Sequence, residues 1–195
     1  MDTGSEAAST WYAVHVIADS TEVETPKAML SLSATAPTMP SGYDVFRRLG
    51  WVRNNSSSNF LRFDQNGAGG ERFYHYDEDR SDMKALTAGT AQSWTDIDLS
   101  SFIPPTSRVT YVSWTFDATN INAGCALAPK GSKQATSDVA DSMWFIDPVL
   151  DTDPVLLSGL GDWINTDVNR KIQYRLEGSS TPRFWVMIRG FLDEI

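Results

Sequence analysis

The side chains able to act on a ligand or a metal fall into a few groups. Asp77, Asp79 and Asp82 place three carboxylates within six residues (DEDRSD), and Asp147, Asp151 and Asp153 form a second cluster. Carboxylate oxygens at this spacing suit calcium, but a calcium loop of the EF-hand type needs glycine at its sixth position and glutamate at its twelfth. Those positions hold Asp82 and Ala88, so the first cluster reads as a solvated turn, and the second carries the same two readings. The histidines, His15 and His75, have no partner at metal-ligand spacing, whereas zinc takes three or four ligands. No metal is expected.

Nucleophiles fare no better. There is no G-x-S-x-G, because Leu156 stands where that motif needs the glycine before Ser158. Gly159 and Gly161 lack the third glycine of a dinucleotide site. Cys125 lies in the apolar stretch NAGCALA without a local histidine or lysine, which predicts a buried small residue rather than a thiolate. Paired carboxylates for glycoside hydrolysis arise by chance among twenty-five acidic residues. Neither a catalytic residue nor a cofactor is predicted. The remaining candidate is Trp163, flanked by Asp162 and followed by Asn165 in the segment SGLGDWIN. An aromatic ring can stack on a sugar face while Asp and Asn bind hydroxyls, so Asp162, Trp163 and Asn165 form a candidate receptor-binding set.

The elements that must carry these residues are strands. Residues 9–18 (STWYAVHVIA) put Trp11, Ala13, His15 and Ile17 on one face and Tyr12, Val14, Val16 and Ala18 on the other, so both faces look largely buried. His15 is then a hydrogen-bonded interior residue, while His75, between Tyr74 and Tyr76, points away from both. Residues 28–33 and 43–53 continue the pattern, with a bulge expected at Gly50. Residues 43–53 and 60–65, joined by NNSSSN, read as the clearest hairpin. Further strands are predicted at 72–76, 83–87, 94–99, 108–116, 120–127, 142–146, 155–157, 171–177 and 183–192, with a helical turn at 158–165. No segment keeps a capped 3.6-residue apolar repeat. The expected fold is all-β, an antiparallel, jelly-roll-like β-sandwich with long loops and little or no helix. Residues 128–138 are polar and read as a long loop. The two copies of Asp-Pro-Val-Leu, six residues apart, are too few for a solenoid.

The chain has 195 residues, 41% hydrophobic and 21% charged, enough for a core without disulfides. A single cysteine fits folding in a reducing cytosol. Sixteen basic against twenty-five acidic residues give a net charge of −9, which disfavours nucleic acid as a partner. The longest clear apolar run, FWVMI at 184–188, is far short of the ~18 residues of a membrane-spanning helix, so no membrane insertion is expected.

Several motifs in order suggest a family. They are Asp2-Thr-Gly-Ser-Glu-Ala7 running into Trp11-Tyr12, then Leu32-Ser33, Pro37 and Pro40-Ser41-Gly42-Tyr43. Arg47-Arg48-Leu49-Gly50, Val52, Ser58-Asn59, Phe60, Phe63, Ser93-Trp94 and LSSFIPP (99–105) follow. Together they resemble bacteriophage tail-fibre and related receptor-binding virion structural proteins over about residues 2 to 115. The resemblance implies a virion component assembled in the host cytoplasm, on a tail or head fibre, without catalytic motifs. It further implies a homo-oligomer, with a trimer favoured, contacts to other virion proteins, and a host surface glycan as a candidate receptor. Two alternatives remain at this point: a capsule-polysaccharide depolymerase domain, and a capsid decoration protein that touches no receptor. The opening DTGSE after Met1 reads like the interior of a longer protein, so residues 1–8 are expected to be a linker from an upstream shaft, ahead of one sandwich domain over 9–195.

Overall fold

A computed structural model describes residues 1–67, 70–118, 123–132, 145–146, 155–178 and 182–195. The architecture is all-β and sandwich-like, built from antiparallel sheets, with no helix among the described residues. The backbone groups into two compact units, residues 1–77 with 193–195, and residues 78–192.

The first unit holds β1 (Trp11–Ala18), β2 (Lys27–Ser31) and β3 (Val45–Arg53), ordered β2-β1-β3, together with β4 (Phe63–Asn66) paired to β5 (Glu71–Tyr76). One face of β1 is buried as the alternation predicts: Ala13, His15 and Ile17 are covered, and Trp11 meets Trp51 edge-on at 6.4 Å. On the other face Tyr12 is buried, but Val14, Val16 and Ala18 are only half-buried. The expected irregularity in β3 is present. Val14 faces Gly50 and His15 faces Arg48, so Leu49 is the extra residue beside the glycine. Gly50 is there for space: a Cβ would stand 1.9 Å from the Tyr74 hydroxyl oxygen, which accepts a hydrogen bond from the Trp51 amide at 3.2 Å. Burial pushes that hydroxyl up to about 12.

The expected hairpin between 43–53 and 60–65 forms only beside its turn. The Asn55 amide donates to the Asn59 carbonyl, Asn54 bridges Phe60, and the Leu61 amide donates to the Arg53 carbonyl, but the pairing goes no further along β3. From Phe63 onward the ladder of β4 runs instead to β5, pairing Phe63 with Tyr76 and Gln65 with Tyr74. The reason is packing. Pairing with β5 sets Phe63 against the buried Tyr74 ring at 5.1 Å.

The second unit is a two-layer packing. One sheet runs β10-β9-β12-β7, with β7 (Thr95–Asp98), β9 (Gly124–Pro129), β10 (Phe145–Ile146) and β12 (Lys171–Glu177). The other contains β6 (Lys84–Gly89), β8 (Val109–Ala118), β11 (Val155–Asn165) and β13 (Arg183–Glu194). In it β11 pairs β8, β8 pairs β13, and β13 pairs β6. Phe116, Phe184, Val186 and Ile188 point from this sheet toward Ile172, Tyr174 and Leu176 of the other, and all are buried. Tyr174 stacks on Phe184 at 6.2 Å, which fixes the two layers in contact. The predicted helical turn at 158–165 is absent, because β11 runs as one strand from Val155 to Asn165. It absorbs the glycines in a register shift between Gly159 and Asp162. A helix would forfeit the pairing of Ile164 with Thr110 and the burial of Ile164 against the core. The predicted strands at 120–127 and 142–146 are met by β9 and β10 only in part, since 120–122 and 142–144 lie outside the described residues.

Candidate functional site

The three predicted receptor-binding residues all sit on β11, and they do not converge. From Asp162 onward the register is regular, with Asp162 opposite Val112, Trp163 opposite Tyr111, and Asn165 opposite Val109. Strand alternation therefore puts Trp163 and Asn165 on one face and Asp162 on the other. The Asp162 carboxylate turns back on its own strand and accepts the Trp163 amide at 2.7 Å. Trp163 is half-buried, its ring 5.1 Å from that of Tyr111. The expected loop presentation is thus an edge-strand presentation.

What surrounds Trp163 is more informative than its sequence neighbours. On the face of β8 that carries Tyr111, Ser113 and Thr115, away from the layer interface, lies a depression of about 210 Å³. It is lined by Arg80, Tyr111, Ser113, Ser158, Gly159, Gly161 and Arg189. A second depression of about 350 Å³ is lined by Arg80, Ser81, Lys84, Thr115, Trp185 and Met187. Arg80 belongs to both, so they form one track along the sheet. The two glycines in its lining are there for close approach of β11 to β8. A Cβ at Gly159 would stand 2.3 Å from the Trp114 indole, and one at Gly161 2.0 Å from the Val112 carbonyl, so any side chain there would push β11 off β8.

The electrostatics of the track oppose those of the whole chain. Among the described residues, Arg80, Lys84 and Arg189 line it and no carboxylate does. Arg189 is exposed and its guanidinium makes no hydrogen bond or ion pair among the described residues. Among the described residues Arg80 reaches only the Met187 sulfur, at 3.3 Å. Ser113 is 8% exposed, and its Oγ is buried without a hydrogen-bond partner. Nearby, Arg183 is bound by Asp117 and lies over the Trp185 ring at 5.6 Å, which holds that aromatic in place. Guanidinium forks, hydroxyls and two tryptophans on one sheet face can bind a ligand that is anionic and polar with an apolar side.

Sequence reasoning found Trp163 but missed Arg80, Arg189 and Ser113. Nothing in their local spacing marks them, since they come from a turn, the bulge of β13 and the middle of β8. The other candidates behave as structure. His15 is buried, its Nε2 3.0 Å from the Ser33 carbonyl. His75 is half-buried on β5 opposite Asp64. Cys125 is buried in β9 and burial pushes its thiol up, away from the thiolate. Among the described residues no three His, Cys, Asp or Glu side chains gather as a metal site, which covers Asp77, Asp79 and Asp82. Asp147, Asp151 and Asp153 lie outside the described residues.

Comparison with protein-family models, with curated proteins and with solved structures gave no match.

Proposed function

We propose that the chain is a structural domain of a bacteriophage virion, from a tail fibre or head fibre, acting in host attachment and assembly as a homotrimer. The motif order over residues 2 to 115 supplies the virion part of this reading. The observation that carries the attachment part is the track on the β8 face, a cationic, aromatic-lined surface on a chain of net charge −9. Cations gathered without acidic partners among the described residues repel one another and expose unsatisfied donors, an arrangement that favours an incoming ligand. A host surface glycan is a ligand of that kind. The role consists of binding and assembly, with no catalytic step and no cofactor.

Immunogold labelling of intact particles with antibody to this chain tests it. Label at fibre tips is the expected result. Label spread over the head surface would favour a decoration role, and particles without label would overturn the virion assignment.

A further inference from the structure

We propose that the depression between β8 and β11 binds an acidic sugar unit, a saccharide carrying a carboxylate or phosphate, with Arg80 and Arg189 as the anion clamp. The inference rests on the attachment reading and names the ligand that surface would take. Each guanidinium offers five N–H donors in a planar fork that matches two oxygens of a carboxylate or phosphate. Among the described residues Arg189 spends none of them, and Arg80 contacts only a thioether. Ser113 adds a buried Oγ with no partner in the same lining, and buried hydroxyls without a hydrogen bond are rare enough to call for one. The Ser158 and Tyr111 side chains complete a rim able to meet sugar hydroxyls.

The size and the aromatics select the ligand further. About 210 Å³ is less than the roughly 300–1,000 Å³ of pockets that enclose a drug-sized molecule, so the hollow suits one sugar unit held by an edge. Trp163 abuts Tyr111 at its border, and Trp185 lies in the second depression, beyond the shared Arg80. Neighbouring units of an oligosaccharide would run along that track, their C–H faces on the aromatic rings. A long polyanion such as nucleic acid is opposed by the net charge of −9, because its phosphates outside the track meet an acidic surface.

Isothermal titration calorimetry on the full chain at low salt, with trigalacturonate, maltotriose and a single-stranded DNA oligomer, tests the proposal. Trigalacturonate is expected to bind at least about tenfold more tightly than neutral maltotriose, the scale of losing a charge-assisted contact. Arg189→Gln and Arg80→Gln should each weaken it about tenfold, and Ser113→Ala by less. Arg62→Gln, which removes the same charge from an exposed site in the first unit, should change affinity less than about twofold. Competition by inorganic phosphate would extend the ligand to phosphorylated sugars, and its failure would narrow the ligand to carboxylated ones. Equal binding of maltotriose, an equal loss in Arg62→Gln, or DNA binding as tight as trigalacturonate would overturn the proposal. Particle labelling separates the two readings: labelled fibres with no saccharide binding leave attachment standing and remove only the acidic sugar.

Discussion

Arg48 shows how much one charged residue can hold. Its Nη1 donates to the Asp193 carboxylate at 2.5 Å, its Nη2 to the Glu194 carbonyl at 2.5 Å, and its guanidinium lies over Trp51 at 5.6 Å. The Asp193 side chain is fully buried and that of Arg48 is 11% exposed. Removing two charges from water is costly, so a pair like this is weak evidence of net stabilisation, yet breaking it from one side strands a buried charge. Arg48→Met should therefore cost about 3–5 kcal/mol in urea unfolding, and Arg48→Met with Asp193→Leu should recover most of that loss. Equal losses in the single and double variants would show that the cost lies in the Trp51 packing and the Glu194 contact rather than in the stranded carboxylate. Nothing local in the sequence announces this bond, because 145 residues separate its partners.

At the level of elements, the last strand was the most legible. Phe184, Val186 and Ile188 alternate with Trp185 and Met187, which predicts a covered strand, and β13 is paired by β8 on one side and β6 on the other. Truncation after Gly178 would remove Phe184, Val186, Ile188 and Phe191 from the core, each worth about 1.5–3 kcal/mol of burial, and leave β8 and β6 as open edges. The truncated chain should be insoluble on expression; a soluble product with a cooperative thermal transition would make β13 peripheral. The strand class was readable throughout because period-two alternation is a local signal. What was misread depended on partners distant in the chain. Glycines at 159 and 161 suggest a break in any local reading, and only the Trp114 ring and the Val112 carbonyl explain them as close approaches within a strand. Residues 60–65 pair forward with β5 because Tyr74 offers Phe63 a buried face. The site was legible at Trp163 alone, since the two arginines and Ser113 meet only after β8, β11 and β13 are assembled.

For the whole molecule, the question is what covers its remaining apolar surface. Residues 11–17 and 183–192 both read as apolar on two faces, and the structure separates them. The second face of β13 is partly covered from within its own unit, where Arg80 lies against Met187 and Arg183 against Trp185. The first unit is different. Val14 and Val16 on the outer side of β1 are half-buried, and Leu32, Val45, Phe46, Leu49 and Phe60 are each more than 40% exposed. In the second unit Val168 is the one large apolar side chain so exposed among the described residues. Those on β3 lie on both of its faces, since Phe46 pairs with Ile17 and Val45 with Ala18. Exposed apolar side chains concentrated in one unit are nevertheless what a contact between copies would cover, and a net charge of −9 opposes clumping without opposing a specific closed contact. A closed ring leaves no unmatched copy of such a surface, whereas an open series would form fibres, and the choice of three copies over two rests on the resemblance alone. The homotrimer proposed above should therefore scatter light, on elution from a size-exclusion column, at near three times 21.6 kDa. Val45→Ser with Leu49→Ser, both exposed in the single chain, should shift it to one chain mass without lowering the urea midpoint of the dissociated form. A single species at 21.6 kDa over about a hundredfold range of concentration would rule the trimer out for this chain.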